Sequence, residues 1–146
     1  MSVEANLKVV ERFFQEMLDQ GKTEIEPELF TEDAVRHAPG GISHSGYGTS
    51  RRPERPHLSF RTTIHELFGA DDRVAARITH YVTYGGVVTS FTRMGRVPAE
   101  GKSVSWDANV IFHFRDGRIC EEWISRDELG VMLQLGAVQP LTAARD

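Results

Sequence analysis

Residues 103–124 read SVSWDANVIFHFRDGRICEEWI, and the alternation in this stretch decides the fold. Successive strand side chains point to opposite faces. Trp106, Ala108, Val110, Phe112 and Phe114 therefore form an apolar face, and Asp107, Asn109, Ile111 and His113 a more polar one. The RDG that follows is a turn signal, so the chain returns as a hairpin. The return register decides which of two adjacent glutamates meets the apolar face. A two-residue turn at Asp116-Gly117 sets Phe112 opposite Glu121, whereas a three-residue turn with a glycine bulge sets Val110 opposite Glu122. The bulged turn also brings Cys120 and Ile124 to the apolar face and leaves Trp123 outside beside Asn109. It is the favoured form, and it makes Glu122 the isolated carboxylate on the apolar side.

The segments 59–72, 73–85 and 87–97 are also rich in β-branched and aromatic residues and are separated by glycine-containing turns. The first third of the chain differs. In VEANLKVVERFFQEMLDQG (3–21), Leu7, Val10, Phe14, Met17 and Leu18 recur at helical spacing, and Gly21 follows as a stop. A shorter helix is expected over EPELFTEDA (26–34), with Pro27 near its start. RHAPGGISHSGYGTS (36–50) and the proline-interrupted SRRPERPH (50–57) read as loop. A last short helix is expected in SRDELGVMLQLG (125–136), where Ser125 and Glu128 form an S-x-x-E capping box. Helices first and antiparallel strands afterwards indicate an α+β domain with helices on one face of a curved sheet.

The 146 residues suit a single domain spanning 1–146. A formal net charge of −4 argues against a nucleic-acid partner, since no basic face offsets phosphate repulsion. The lone Cys120 excludes an intrachain disulfide and fits a reducing compartment, so a cytoplasmic location is expected. No apolar run reaches membrane-spanning length. The histidines His44, His57 and His65 do not recur at metal-binding spacing with each other or with Cys120, and no metal is expected.

Several segments together resemble the SnoaL-like polyketide and ester cyclases of the NTF2-like superfamily. They are VERFFQEML (10–18), FTEDAVRHAPGG (30–41), DDRVAARITHYVTYGG (71–86), GRVPAEGKSVSW (95–106), FRDGRICEEW (114–123) and RDELGVMLQLGA (126–137). The resemblance implies a cone, a strongly curved antiparallel sheet packed around N-terminal helices with an internal hydrophobic pocket. It also implies cofactor-independent acid–base chemistry, either cyclisation or isomerisation, on a hydrophobic carbonyl-bearing ligand of polyketide or terpenoid type. A homodimer through the outer sheet face is a further implication. Where such cyclases carry two histidines and an aspartate, an ungapped match on YGG and DGR places Val87, Val110 and Ile124. That departure keeps a second reading open, a binding protein that retained the cone without the chemistry.

The candidate acid–base residues are Glu122, His80 and Asp127. Glu122 is either a desolvated proton carrier or a rim residue paired with an arginine such as Arg77. His80 falls within the alternating set Val74, Ala76, Ile78, Val82 and Tyr84, as a core group or as a base oriented by Glu122. Asp127 matches the family's Trp-x-x-x-Asp pattern, yet its place in a first helical turn explains it through the helix dipole alone. The ligand-facing candidates are His37 at the pocket mouth, Tyr84 as a hydrogen-bond donor, and Phe14, Phe30, Trp106, Val110 and Ile124 as wall.

Overall fold

A computed structural model describes residues 2–39, 41–44, 58–85 and 89–141. The expected loop over 50–57 and the cyclase position Val87 lie outside these residues. Helix α1 spans Val3–Arg12, opened by Ser2, whose side chain accepts from the Ala5 amide. It continues as a seven-residue π-helical segment, Phe13–Asp19. The wider π turn allows the neighbours Phe13 and Phe14, together with Met17, all to be buried. Gly21, at φ 71, ends this run in a left-handed conformation that suits glycine.

The second helix is much shorter than its sequence pattern indicates. After a 3-10 turn at Thr23–Ile25, α2 covers only Glu26–Leu29, and Phe30 opens strand β1, Phe30–Ala38. Long-range pairing overrides local propensity here. β1 lies parallel to strand β8 (Arg118–Arg126), with Phe30 opposite Ile119 and Arg36 opposite Glu122. The expected loop likewise contains a strand, β2 (Gly41–His44), antiparallel to β1.

The remaining strands are β3 (Leu58–Ala70), β4 (Arg73–Tyr84), β5 (Thr89–Thr92), β6 (Gly95–Pro98) and β7 (Ser103–Arg115). Six of them form one sheet in the order β2-β1-β8-β7-β4-β3, and β5 and β6 form a separate hairpin. The β1–β8 pair makes the sheet mixed rather than wholly antiparallel. Alternation holds along β4 and β7: Val74, Ala76, Ile78, His80, Val82 and Tyr84 are buried, as are Trp106, Ala108, Val110, Phe112 and Phe114. This inner face packs on Val10, Phe13, Phe14 and Met17, which makes the helical segments the filling of an α+β fold.

The β7–β8 register differs from both expected forms. The turn is the two-residue one, with Asp116 at φ 53 and Gly117 at φ 78, a mirror-image hairpin turn. Arg115 pairs with Arg118 and Phe114 with Ile119, but His113 pairs with Glu121 and Phe112 with Glu122. The extra residue is Cys120, so the bulge lies in the strand rather than in the turn. Trp123 accordingly sits opposite Ile111, not beside Asn109. Glu122 nevertheless reaches the inner face.

β8 leaves β7 at Arg126, opposite Ala108, and the chain turns into helix α3, Glu128–Gln134. The Gln134 carboxamide then takes over the vacated edge of β7. It accepts from the Ser105 amide at 2.9 Å and donates to the Ser105 carbonyl at 2.7 Å.

Candidate functional site

The inner faces of β3, β4 and β7 bring three side chains into one row, Thr62 opposite His80 and His80 opposite Trp106. Aromatic rings surround the imidazole on three sides. The ring centroids of Phe60, Trp106 and Phe14 lie 5.5, 5.7 and 5.8 Å from it, all tilted edge-to-face. His80 is 7% exposed. Its Nδ1 lies 2.9 Å from the Thr62 hydroxyl. Thr62 in turn donates its hydroxyl to Asp19 Oδ1 at 2.8 Å and its backbone amide to Oδ2 at 3.0 Å. Asp19 is the last residue of the π segment, so that segment supplies both a ring beside His80 and the carboxylate behind it.

Burial pushes the His80 pKa down to about 4, helped by the positive field of Arg36 and Arg126. The imidazole is therefore neutral at pH 7. Burial raises the Asp19 carboxyl, against the lowering effect of its two Thr62 hydrogen bonds and of Arg61.

A second row crosses β1, β8 and β7, with Arg36 opposite Glu122 and Glu122 opposite Phe112. Glu122 is 2% exposed, and burial raises its pKa against the pull of Arg36. Arg36 Nε stands 3.3 Å from Glu122 Oε2, a buried ion pair. The arginine expected to pair with Glu122, Arg77, instead binds Glu66 at 2.7 Å in an exposed contact. The expected contact between Glu122 and His80 is not formed either. The two residues occupy rows six positions apart on β7, with Phe14 between them, in contact with both His80 and Phe112. What links the rows is Arg36, which bears on both groups. Arg126 lies over the Trp106 ring at 4.9 Å and is held by Glu128 at 2.8 Å.

Other expected residues fall elsewhere. His37 is on the outer sheet face, 2.7 Å from Glu121 and stacked on Trp123, because it is out of phase with Arg36 on β1. Trp123 and His37 also border a cleft of about 620 Å³ reaching Thr92, Arg93 and Ile124. Tyr84 is buried, and its hydroxyl donates to Ser90 at 3.1 Å. Phe30 packs edge-on against Phe13 in the core, and no ring contact joins it to His80. Val110 and Ile124 face each other across β7 and β8, so two of the three cyclase acid–base positions form an apolar pair.

Asp127 is exposed and is itself the N-cap of α3: its Oδ1 accepts from the Gly130 amide at 3.0 Å. Ser125 still belongs to β8, so the capping box expected from Ser125 and Glu128 is not the one formed. Asp19, Thr62, Phe60, Arg36 and Arg126 are site residues that strand alternation alone did not single out. Among the described residues, no three His, Cys, Asp or Glu side chains are grouped to hold a metal, and no helix is long and apolar enough to cross a membrane.

This architecture, a mixed sheet packed over N-terminal helices, is the α+β NTF2-like fold. The model of the SnoaL-like polyketide cyclases matches residues 8–135, and the chain belongs to that family. No curated protein sequence matches it significantly. Among solved structures it is similar to TsrD from Streptomyces laurentii, at 20% identity and a TM-score of 0.75, over 94% of this chain and 99% of that one. It is also similar to an LEH-like epoxide hydrolase from M. tuberculosis, at 17% identity and a TM-score of 0.72, over 92% of each chain. At these identities the likeness is one of fold.

Proposed function

We propose that the protein catalyses a cofactor-independent proton transfer that cyclises or isomerises a hydrophobic, carbonyl-bearing metabolite of polyketide or terpenoid type. Membership of the cyclase family supports the reaction class. The observation that carries the reading is His80, a neutral imidazole enclosed by three aromatic rings and lying in the positive field of Arg36 and Arg126. In this reading the ring takes a proton from the carbon next to the ligand carbonyl, and the electron pair moves onto the carbonyl oxygen. The positive field that keeps the imidazole neutral also favours that enolate. The enolate carbon then attacks a second carbonyl of the same molecule, whose oxygen recovers the proton, or the proton returns at another carbon. Glu122 holds Arg36 toward this site as a buried counter-charge.

Incubation in D2O with a panel of hydrophobic diketones, followed by mass spectrometry, tests the reading. Deuterium incorporation or ring closure is expected, reduced at least ~10²-fold in His80→Ala. The facing pair Val110 and Ile124 favours the alternative, a ligand-binding protein without catalysis. Ligand retention with no exchange in the native protein would establish that alternative.

Tyr81, Ile111 and Trp123 expose apolar surface on the outer sheet face, at 41%, 42% and 36%. A second copy packed there would bury it as a homodimer.

A further inference from the structure

We infer that Asp19 and Thr62 act as a positioning pair that fixes His80 in the Nδ1–H tautomer and so presents Nε2 as the basic nitrogen. The protons along the Asp19–Thr62–His80 chain can be counted. The Thr62 hydroxyl carries one hydrogen, and it is donated to Asp19 Oδ1 at 2.8 Å. The same carboxylate also receives the Thr62 amide at 3.0 Å, so its two oxygens both act as acceptors. An ionised carboxylate has no proton to return. Toward His80, 2.9 Å away, the Thr62 oxygen can therefore only accept. The contact requires a hydrogen on Nδ1, and in a neutral imidazole that leaves Nε2 with the lone pair.

Free imidazole side chains favour the opposite tautomer, so the pair selects the form that would otherwise be scarce. Its geometry is rigid at both ends. Asp19 closes the π segment, and Thr62 sits mid-strand with its backbone paired to β4. The three rings around the imidazole restrict rotation that would exchange the two nitrogens. An acceptor at Nε2 suits a group that gives up a proton, either a carbon acid or an enol O–H. It does not suit a carbonyl oxygen seeking a donor. This consequence for catalysis rests on the proposed role of His80, but the tautomer itself does not.

The test is long-range proton–nitrogen correlation NMR on the ligand-free, nitrogen-labelled protein at pH 7. The His80 Nδ1 is expected to resonate as a protonated nitrogen and Nε2 as an unprotonated one. Thr62→Ser keeps the hydroxyl and should keep this pattern, whereas Thr62→Val and Asp19→Asn should move population toward the Nε2–H form. Each variant's amide spectrum reports whether it is folded, and Thr62→Ser with Asp19→Asn leaves a test even if valine disturbs the strand. A native protein with Nε2 protonated would overturn the inference, as would an unchanged tautomer in the folded variants. Neither result depends on turnover. Deuterium incorporation retained in Thr62→Ser and lost in Thr62→Val, at unchanged ligand affinity, would add the catalytic consequence.

Discussion

At the scale of single residues, His80 and Glu122 are both buried ionisable groups, and burial moves them in opposite directions. The pKa of His80 lies below that of an unfolded histidine, so between about pH 6.5 and 4 the unfolded chain binds more protons at this site. Its contribution to stability is complete above that window and is lost as pH falls through it. From pH 7.5 to 5 the loss is about 2 kcal/mol. Glu122 and Asp19, both raised, have the reverse sign, their penalty growing as pH rises above the unfolded carboxyl pKa. A comparison of urea midpoints for the native protein and His80→Gln isolates the histidine. The native protein should lose more stability on acidification than the variant, and equal losses would show that His80 is not held neutral. Alternation placed His80 on the inner face from sequence alone, whereas Glu122 was assigned there through a glycine-bulged turn that the hairpin does not form. Their partners were not legible, because Thr62 and Asp19 stand 43 residues apart and meet only when β3 folds over the π segment. The pairing of Arg36 with Glu122 likewise depends on a parallel strand pair that no local pattern announces.

At the scale of elements, the start of α3 separates structure from chemistry. A Cβ placed on Gly130 would lie 2.2 Å from Asp127 Oδ2, so the carboxylate end of the cap must shift to admit a side chain there. Asp127→Ala should cost about 1 kcal/mol in thermal or urea unfolding, and Asp127→Asn, which caps as well, much less. If Asp127→Asn instead abolished turnover while remaining stable, the aspartate would be catalytic and not only a cap. The hairpin between β7 and β8 shows the limit of reading elements from sequence. The DG turn signal was correct in position, but Cys120 carries the bulge, and a bulge inside a strand leaves no composition signal. β1 was missed for a different reason. LFTEDAVRHA has an acceptable helical pattern, and only pairing to β8 and β2 makes it extended.

At the scale of the whole molecule, the proposed dimer leads to a direct measurement. Trp123→Glu should shift the sedimentation coefficient from dimer to monomer while leaving the near-ultraviolet circular dichroism of the buried Trp106 in place. A native protein that sediments as a monomer at every concentration would remove the proposal. The order of helices and strands, legible from hydrophobic spacing, was sufficient to give the α+β class, whereas association depends on which outward side chains remain uncovered. The Gln134 carboxamide matters at this scale too. Ser105 lies where β7 has lost β8 as its neighbour, and a bare strand edge is a template for any other extended chain. By occupying both the amide and the carbonyl of Ser105, one side chain stands in for a strand that the described residues do not supply. Gln134→Ala would leave the folded core untouched and open that template. Its expected consequence is slow edge-to-edge polymerisation, visible as thioflavin-positive aggregate from a protein whose unfolding midpoint has barely moved.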